Sequence, residues 1–278
     1  MPRLIRIDWP DFGNAALPPA LTLPELRARL AAFRAAGADY DVLAVYGDRA
    51  HMANLHWLTG FDPRFEEALL IVTAGDALVL AGNECLPYTG ISPLVQAGDI
   101  RTGHCASLSL PSQPRLGRNL RSWLQDMVPA GARVGMIGWK WFSAAEVEEP
   151  ALAVDAPAFI VDPLRQIAGR VENATALMMH PSTGLRARVD AAEIARLEFA
   201  NVMAAKALTR MVFAFREGMS DFDAYAAAQV GGLPLGCHPT FATGARADQG
   251  LCGPGGEILR LGQAISFNIC HWGANICR

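Results

Sequence analysis

The stretch from Gly262 to Arg278, GQAISFNICHWGANICR, reads as a pair of short strands joined by a turn. Asn268 closes the first strand and Asn275 lies in the second. Successive strand residues point to opposite faces, so Cys270 shares the face of Asn268 while His271, three positions on, points away. Each asparagine offers a neutral carbonyl oxygen, which donates lone pairs without supplying negative charge.

Working outward from this end, composition limits the function classes. The chain has 278 residues, 51% hydrophobic and 18% charged, the balance of a globular protein long enough for two domains. Its net charge is −3 and no basic run offers a cationic stripe for phosphates, so nucleic acid is not an expected partner. No apolar run reaches the roughly 18 residues that span a bilayer, and no membrane association is expected. The first twenty residues, with Asp8, Asp11 and several prolines, lack the apolar core of a signal peptide, so a soluble cytoplasmic protein is expected. Six cysteines, at 85, 105, 237, 252, 270 and 277, include no C-x-x-C pair and read as reduced thiols.

The first part of the chain alternates helices and strands. Leu26, Leu30 and Phe33 mark one face of a helix over Pro24–Ala36. Strands are expected at Tyr40–Tyr46, Ala68–Thr73, Ala77–Leu80, Arg133–Gly138 and Ala158–Val161, with a hairpin turn at Ala74–Asp76 and a helix over Leu116–Val128. This pattern predicts an α/β domain with a mixed sheet over residues 1–165. Residues 166–185, holding Gly169, Pro181 and Gly184, read as a linker. A long helix then runs from Asp190 to Phe215, with Asp190 as N-cap, Glu193 three residues on, and an apolar side of Ile194, Leu197, Val202, Leu208, Met211 and Val212. Ser220 opens a second helix running to about Val230.

Two regions resemble the creatinase/prolidase/aminopeptidase P family of pita-bread hydrolases. YGDRAHMANLHWLTGFDPRFEEALL, from Tyr46 to Leu70, is similar to that family's N-terminal domain, where a segment of the type N-L-x-Y-L-T-G-F separates two strands. EIARLEFANVMAAKALTRMVFAFREGMSDFDAYA, followed by TFATGARADQGLCGPGGEILRLGQAISFN, resembles the first helices and strands of the pita-bread domain. Thr243-Gly244 stands at the family's S-G step and Gly262-Gln263 at its G-D step. The resemblance implies an α/β creatinase N-terminal-like domain followed by a partial α+β pita-bread domain over 186–278. It also implies a fragment of a longer natural protein.

The resemblance assigns Asn268 and Asn275 to positions where the family's metalloenzymes carry aspartates that hold two metal ions. A bridging ligand there must be anionic, so these asparagines fit a site without metal, and no cofactor is expected. The metal-free creatinase branch places its catalytic histidine eight positions after the S-G serine; the same count from Thr243 reaches Leu251, which cannot move a proton. The catalytic candidates are His238 as acid or base and Cys270 as nucleophile. His238 also reads as a structural turn histidine and Cys270 as a buried thiol. Phe61 and Arg64 resemble the aromatic–arginine pair with which creatinase binds a substrate carboxylate in a neighbouring subunit; Arg64 also reads as an ion-pair partner of Asp62, Glu66 or Glu67. Trp139 and Trp141 read as core or interface aromatics.

The function these residues imply is creatinase-like hydrolysis of a C–N bond in a small nitrogenous compound by a homodimer. An Xaa-Pro aminopeptidase or prolidase-like metallopeptidase using divalent ions, and a non-catalytic ligand-binding descendant, are the alternatives.

Overall fold

A computed structural model describes residue 13, residues 15–272, and residues 273, 276 and 277 as backbone. The helices are α1 (Leu23–Ala36), α2 (Ala53–Thr59), α3 (Cys85–Tyr88), α4 (Pro93–Gln96), α5 (Leu120–Met127), α6 (Ala158–Ile167), α7 (Ala176–Met179), α8 (Ala191–Ala214) and α9 (Asp221–Ala226). The strands are β1 (Val42–Gly47), β2 (Ala68–Val72), β3 (Ala77–Ala81), β4 (Arg101–His104), β5 (Arg133–Ile137), β6 (Arg170–Asn173), β7 (Thr240–Thr243), β8 (Ile265–Asn268), β9 (Trp272–Gly273) and β10 (Ile276–Cys277). Two compact units result: Leu21–Val189, and the residues from Asp190 onward together with those before Leu21.

In the first unit six strands form a mixed sheet in the order β4-β3-β2-β1-β5-β6. β1 runs antiparallel to β2 and parallel to β5, and β6 is parallel to β5. Strand side chains alternate between faces. Leu43 and Val45 of β1 therefore pack with Leu26, Phe33, Leu55 and Leu58 on one side. Val42 and Ala44 pack with Leu120, Leu124, Ile160 and Leu164 on the other. Both faces are covered, which is why β1, β2 and β3 read as unbroken apolar runs. The turn between β2 and β3 is closed by Thr73, whose N–H donates to the Asp76 carbonyl at 2.9 Å and whose Oγ1 accepts the Asp76 N–H at 3.0 Å.

Three expectations change here. Residues 158–161 begin helix α6 rather than forming a strand: Ile160 and Leu164, one turn apart, are buried while Phe159 faces outward. Residues 166–185 are not a linker, because they hold β6, hydrogen-bonded to β5, and α7, whose Met178 is buried in the sheet's core. The described residues 15–20 belong with the second unit rather than the first.

The second unit is built on α8, capped by Asp190, whose Oδ1 accepts the Glu193 N–H at 2.7 Å. Its buried face is Phe199, Ala200, Ala204, Ala207 and Met211, whereas Ile194 and Val212 are exposed. Small alanines let the neighbouring elements approach closely, so the packing stripe is rotated from the one the larger apolar residues suggest. Ser220 caps α9, and Asp221, fully buried, accepts the N–H groups of Gly255 and Gly256 at 2.8 and 2.9 Å. That carboxylate ties the start of α9 to the loop that precedes β8. No helix among the described residues is long and apolar enough to cross a membrane.

The edge strand β6 depends on an ion cluster. Glu172, 6% exposed at its side chain, receives Arg133 Nε and Arg170 Nε, each at 2.7 Å. Burial works against its ionisation, but the two guanidinium groups outweigh it and hold the carboxyl below its usual range. Glu172→Gln is expected to cost about 1–2 kcal/mol at neutral pH, a figure held down by the half-exposed arginines. Because the folded-state pKa is depressed, this contribution is present above the unfolded carboxyl range and lost as pH falls through the folded value. Urea unfolding of both proteins at neutral and acid pH checks this: the gap between them closes at the acid end.

Candidate functional site

β7 and β8 form an antiparallel pair in the register Thr240↔Asn268 and Thr243↔Ile265. Its inner face is fixed by aromatic packing: Phe241 lies 5.8 Å from Phe215 and 6.1 Å from Phe267, ring centre to ring centre. At the open end of the pair the Asn268 N–H donates to Thr240 Oγ1 at 2.9 Å, and Asn268 Oδ1 lies 3.9 Å from Cys237 Sγ. The chain then continues alongside residues 234–236: the Gly236 N–H donates to the Cys270 carbonyl at 2.8 Å and Leu235 bridges His271. A wider loop of the first strand, Cys237 to Pro239, is accommodated between these pairings.

Tyr225 of α9 completes the cluster. Its hydroxyl is buried and has no hydrogen-bond partner among the described residues. Burial raises the phenol pKa, and the Cys237 and Cys270 thiols nearby add to the rise. Tyr225, Cys237, Asn268 and Cys270 thus bring a phenol, an amide and two cysteines together at this end of the pair.

The sequence candidates fall at several places. His238 is exposed, and its Nε2 lies 2.7 Å from the Leu251 carbonyl oxygen, so it carries its hydrogen there and donates it. Nδ1 is left as the proton acceptor. No hydrogen bond joins His238 to Cys270 among the described residues, so the structure does not assemble them as a base–nucleophile pair. His271 is fully buried, with neither ring nitrogen in hydrogen-bond geometry; the Pro234 carbonyl beside it is taken by the Trp272 N–H at 3.0 Å. Burial lowers its pKa.

Phe61 does not face outward with Arg64. It is completely buried in the core of the first unit. The aromatic that accompanies Arg64 is Tyr88. Arg64 Nε hydrogen-bonds the Tyr88 hydroxyl at 3.0 Å, its Nη2 contacts the same oxygen, and its guanidinium carbon lies 4.9 Å from the ring centre. Arg64 also pairs with Asp62 at 3.4 Å, the ion-pair reading of this residue, while its side chain stays 45% exposed. Trp139 and Trp141 are 47% and 39% exposed, so they are surface groups rather than core.

A pair of bridged metal ions does not fit the described residues. No group of three or more histidine, cysteine, aspartate or glutamate side chains among them is placed to hold a metal ion. Asn268 supplies only a neutral oxygen, and Asn275 lies outside the described residues. Tyr225 and Cys237 were not singled out from sequence, since neither the α9 packing nor the irregular pairing at 235–239 has a local signature. Tyr225→Phe removes a buried hydroxyl that bonds to no group among the described residues, so it is expected to leave the thermal midpoint unchanged or raise it by a few degrees in differential scanning calorimetry.

No protein-family sequence model and no curated protein sequence matches the chain. Solved structures do. A recombinant prolidase from Thermococcus sibiricus superposes with a TM-score of 0.63 at 14% identity over 91% of this chain and 63% of its own. An Xaa-Pro dipeptidase from Bacillus anthracis gives 0.62 at 11% identity over 91% and 63%. The dipeptidase PepE from Mycobacterium ulcerans gives 0.61 at 17% identity over 89% and 61%. The chain thus spans less than two thirds of the length of the structures it matches. It has the fold of the creatinase, prolidase and aminopeptidase P proteins, an α/β unit with a mixed sheet followed by part of a pita-bread unit.

Proposed function

We propose that this chain belongs to a soluble cytoplasmic, homodimeric hydrolase that cleaves a C–N bond of a small nitrogenous compound without a metal pair on Asn268. The observation that carries this reading is the neutral amide of Asn268, set on the β7–β8 pair beside the Cys237 thiol and Thr240. In such a lining charge must be moved by protons. His238 is the group assigned to that work, through Nδ1, because its Nε2–H is committed to the Leu251 carbonyl. Cys270 lines the site as a thiol. Arg64, held on Tyr88 with part of its fork exposed, is assigned to the carboxylate of a substrate bound in the neighbouring subunit, as the resemblance implies.

A second reading, hydrolysis of Xaa-Pro dipeptides with divalent ions, is favoured by what the matched structures are called. It requires carboxylate ligands that the described part of this chain does not bring together.

Two experiments separate these readings. The full chain is assayed on an amidino amino acid and on an Xaa-Pro dipeptide, before and after exhaustive chelation. Chelator-resistant cleavage of the amidino compound supports the proposal; dipeptide cleavage abolished by chelation and restored by manganese or cobalt supports the second reading, and no turnover with either defeats both. Arg64→Ala is then expected to raise KM for the carboxylate substrate about tenfold with kcat little changed. Unchanged KM means that Arg64 does not bind the substrate.

A further inference from the structure

The first unit contains a chain of titratable side chains that the proposed reaction does not use. Glu67, at the start of β2, lies with Oε1 2.5 Å from the Tyr46 hydroxyl of β1. The same hydroxyl is 3.2 Å from Asp48 Oδ2, and that oxygen is 2.9 Å from His51 Nδ1. The His51 ring then lies 4.7 Å from the Trp139 ring, tilted by 45°, and the Lys140 ammonium lies 5.3 Å from the same indole.

The far side of this contact is rigid. Asn54 Nδ2 donates to the Gly138 carbonyl at 2.9 Å, the Trp139 N–H to Asp155 at 3.1 Å, and Asn173 Nδ2 to the Lys140 carbonyl at 2.8 Å. Gly138 is closely held, since a Cβ there would meet the Asp155 carbonyl oxygen at 1.8 Å. The segment after the parallel strand β5 is thus an anchored platform, and the Asp48–His51 segment after β1 rests on it.

Counting hydrogens assigns the protons. Three contacts run along the chain, so three hydrogens are needed for all of them to be hydrogen bonds. The Tyr46 hydroxyl brings one and the Nδ1–H of His51 another. Asp48 cannot supply the third without losing acceptor strength, because its Oδ1 already accepts the Ala50 and His51 N–H groups at 2.8 and 2.7 Å. The third falls to Glu67: its O–H donates to the Tyr46 oxygen, and Tyr46 then donates to Asp48.

We propose that Glu67 is protonated in the folded protein and that Glu67, Tyr46, Asp48 and His51 form an acid-stabilised latch holding the Asp48–His51 segment on Trp139. When Glu67 loses its proton to water, the single Tyr46 hydrogen is drawn to the new carboxylate. Asp48 then faces a phenol oxygen with no hydrogen between them, and two carboxylates flank one hydroxyl. The Asp48 arm withdraws and carries His51 off the indole.

The electrostatics agree. Burial pushes the Glu67 carboxyl up and the Asp48 charge adds to this, against the Tyr46 hydrogen bond and the charge of Arg115, whose guanidinium is bonded to the Ala106 and Leu110 carbonyls. Burial also opposes ionisation of Asp48, but the His51 ring and two backbone amides outweigh it and hold that carboxyl low. A carboxyl raised in the folded state stabilises the fold below its unfolded pKa, and the effect is lost as pH rises through the folded one.

Infrared and NMR titrations of the full chain from about pH 5 to about pH 8 test this. The carbonyl stretch of a protonated carboxyl should persist above the ordinary glutamate range and be absent in Glu67→Gln. The indole N–H resonance of Trp139 should shift with the same midpoint. In Glu67→Gln, whose amide can donate to Tyr46 as the protonated acid does, that resonance should stay near its low-pH position, and in Tyr46→Phe it should no longer follow Glu67. The proposal fails if Glu67→Gln removes no acid band, or if the Trp139 resonance titrates identically in wild type and Glu67→Gln. The wild-type spectra alone decide it if either variant does not fold.

Discussion

The fold depends on burying β1 on both faces. Its six residues, Val42 to Gly47, are all inaccessible, flanked by an antiparallel partner on one side and a parallel one on the other. Such a strand cannot slip by one residue without exchanging the two cores it separates. Its register therefore sets where β5 ends, and with it the Gly138–Trp141 platform. It also sets where Tyr46 meets Glu67 on β2, since Tyr46 pairs with Leu69 and Gly47 with Ala68.

The second unit works on a smaller scale. Phe215, Phe241 and Phe267 hold the β7–β8 pair, and the buried Asp221 carboxylate pins the loop that leads toward it. Neither device is catalytic, yet together they position Asn268. Where a carboxylate would bring charge, this chain places an amide, with Thr240 and the Cys237 thiol beside it among the described residues.

Much of this was legible from residues because it is local. The α1 face, the Thr73–Asp76 turn and the Asp190 and Ser220 caps rest on spacing and on short side chains bonding nearby amides. The misreadings share a cause: they concern contacts distant in sequence. AFIV at 158–161 suits a strand or a helix, and only the fit of Ile160 and Leu164 against the sheet decides it. Residues 166–185 look like a connection until β5 offers β6 an edge. Phe61 and Arg64 are close in sequence, but Phe61 points into the core and Arg64, at φ +53°, turns outward onto Tyr88, twenty-four residues on. Asn268 and Cys270 were plain in the sequence; the Cys237 thiol and the Tyr225 phenol were not.

The proposed reaction requires that the groups around Asn268 do not hold a divalent cation. Calorimetric titration of manganese into the metal-stripped full chain, with Asn268→Asp alongside, tests it most directly. The account predicts no saturable heat for the wild-type chain. Saturable, stoichiometric binding by the wild type that Asn268→Asp strengthens would contradict it, because the amide would then already be serving as a ligand.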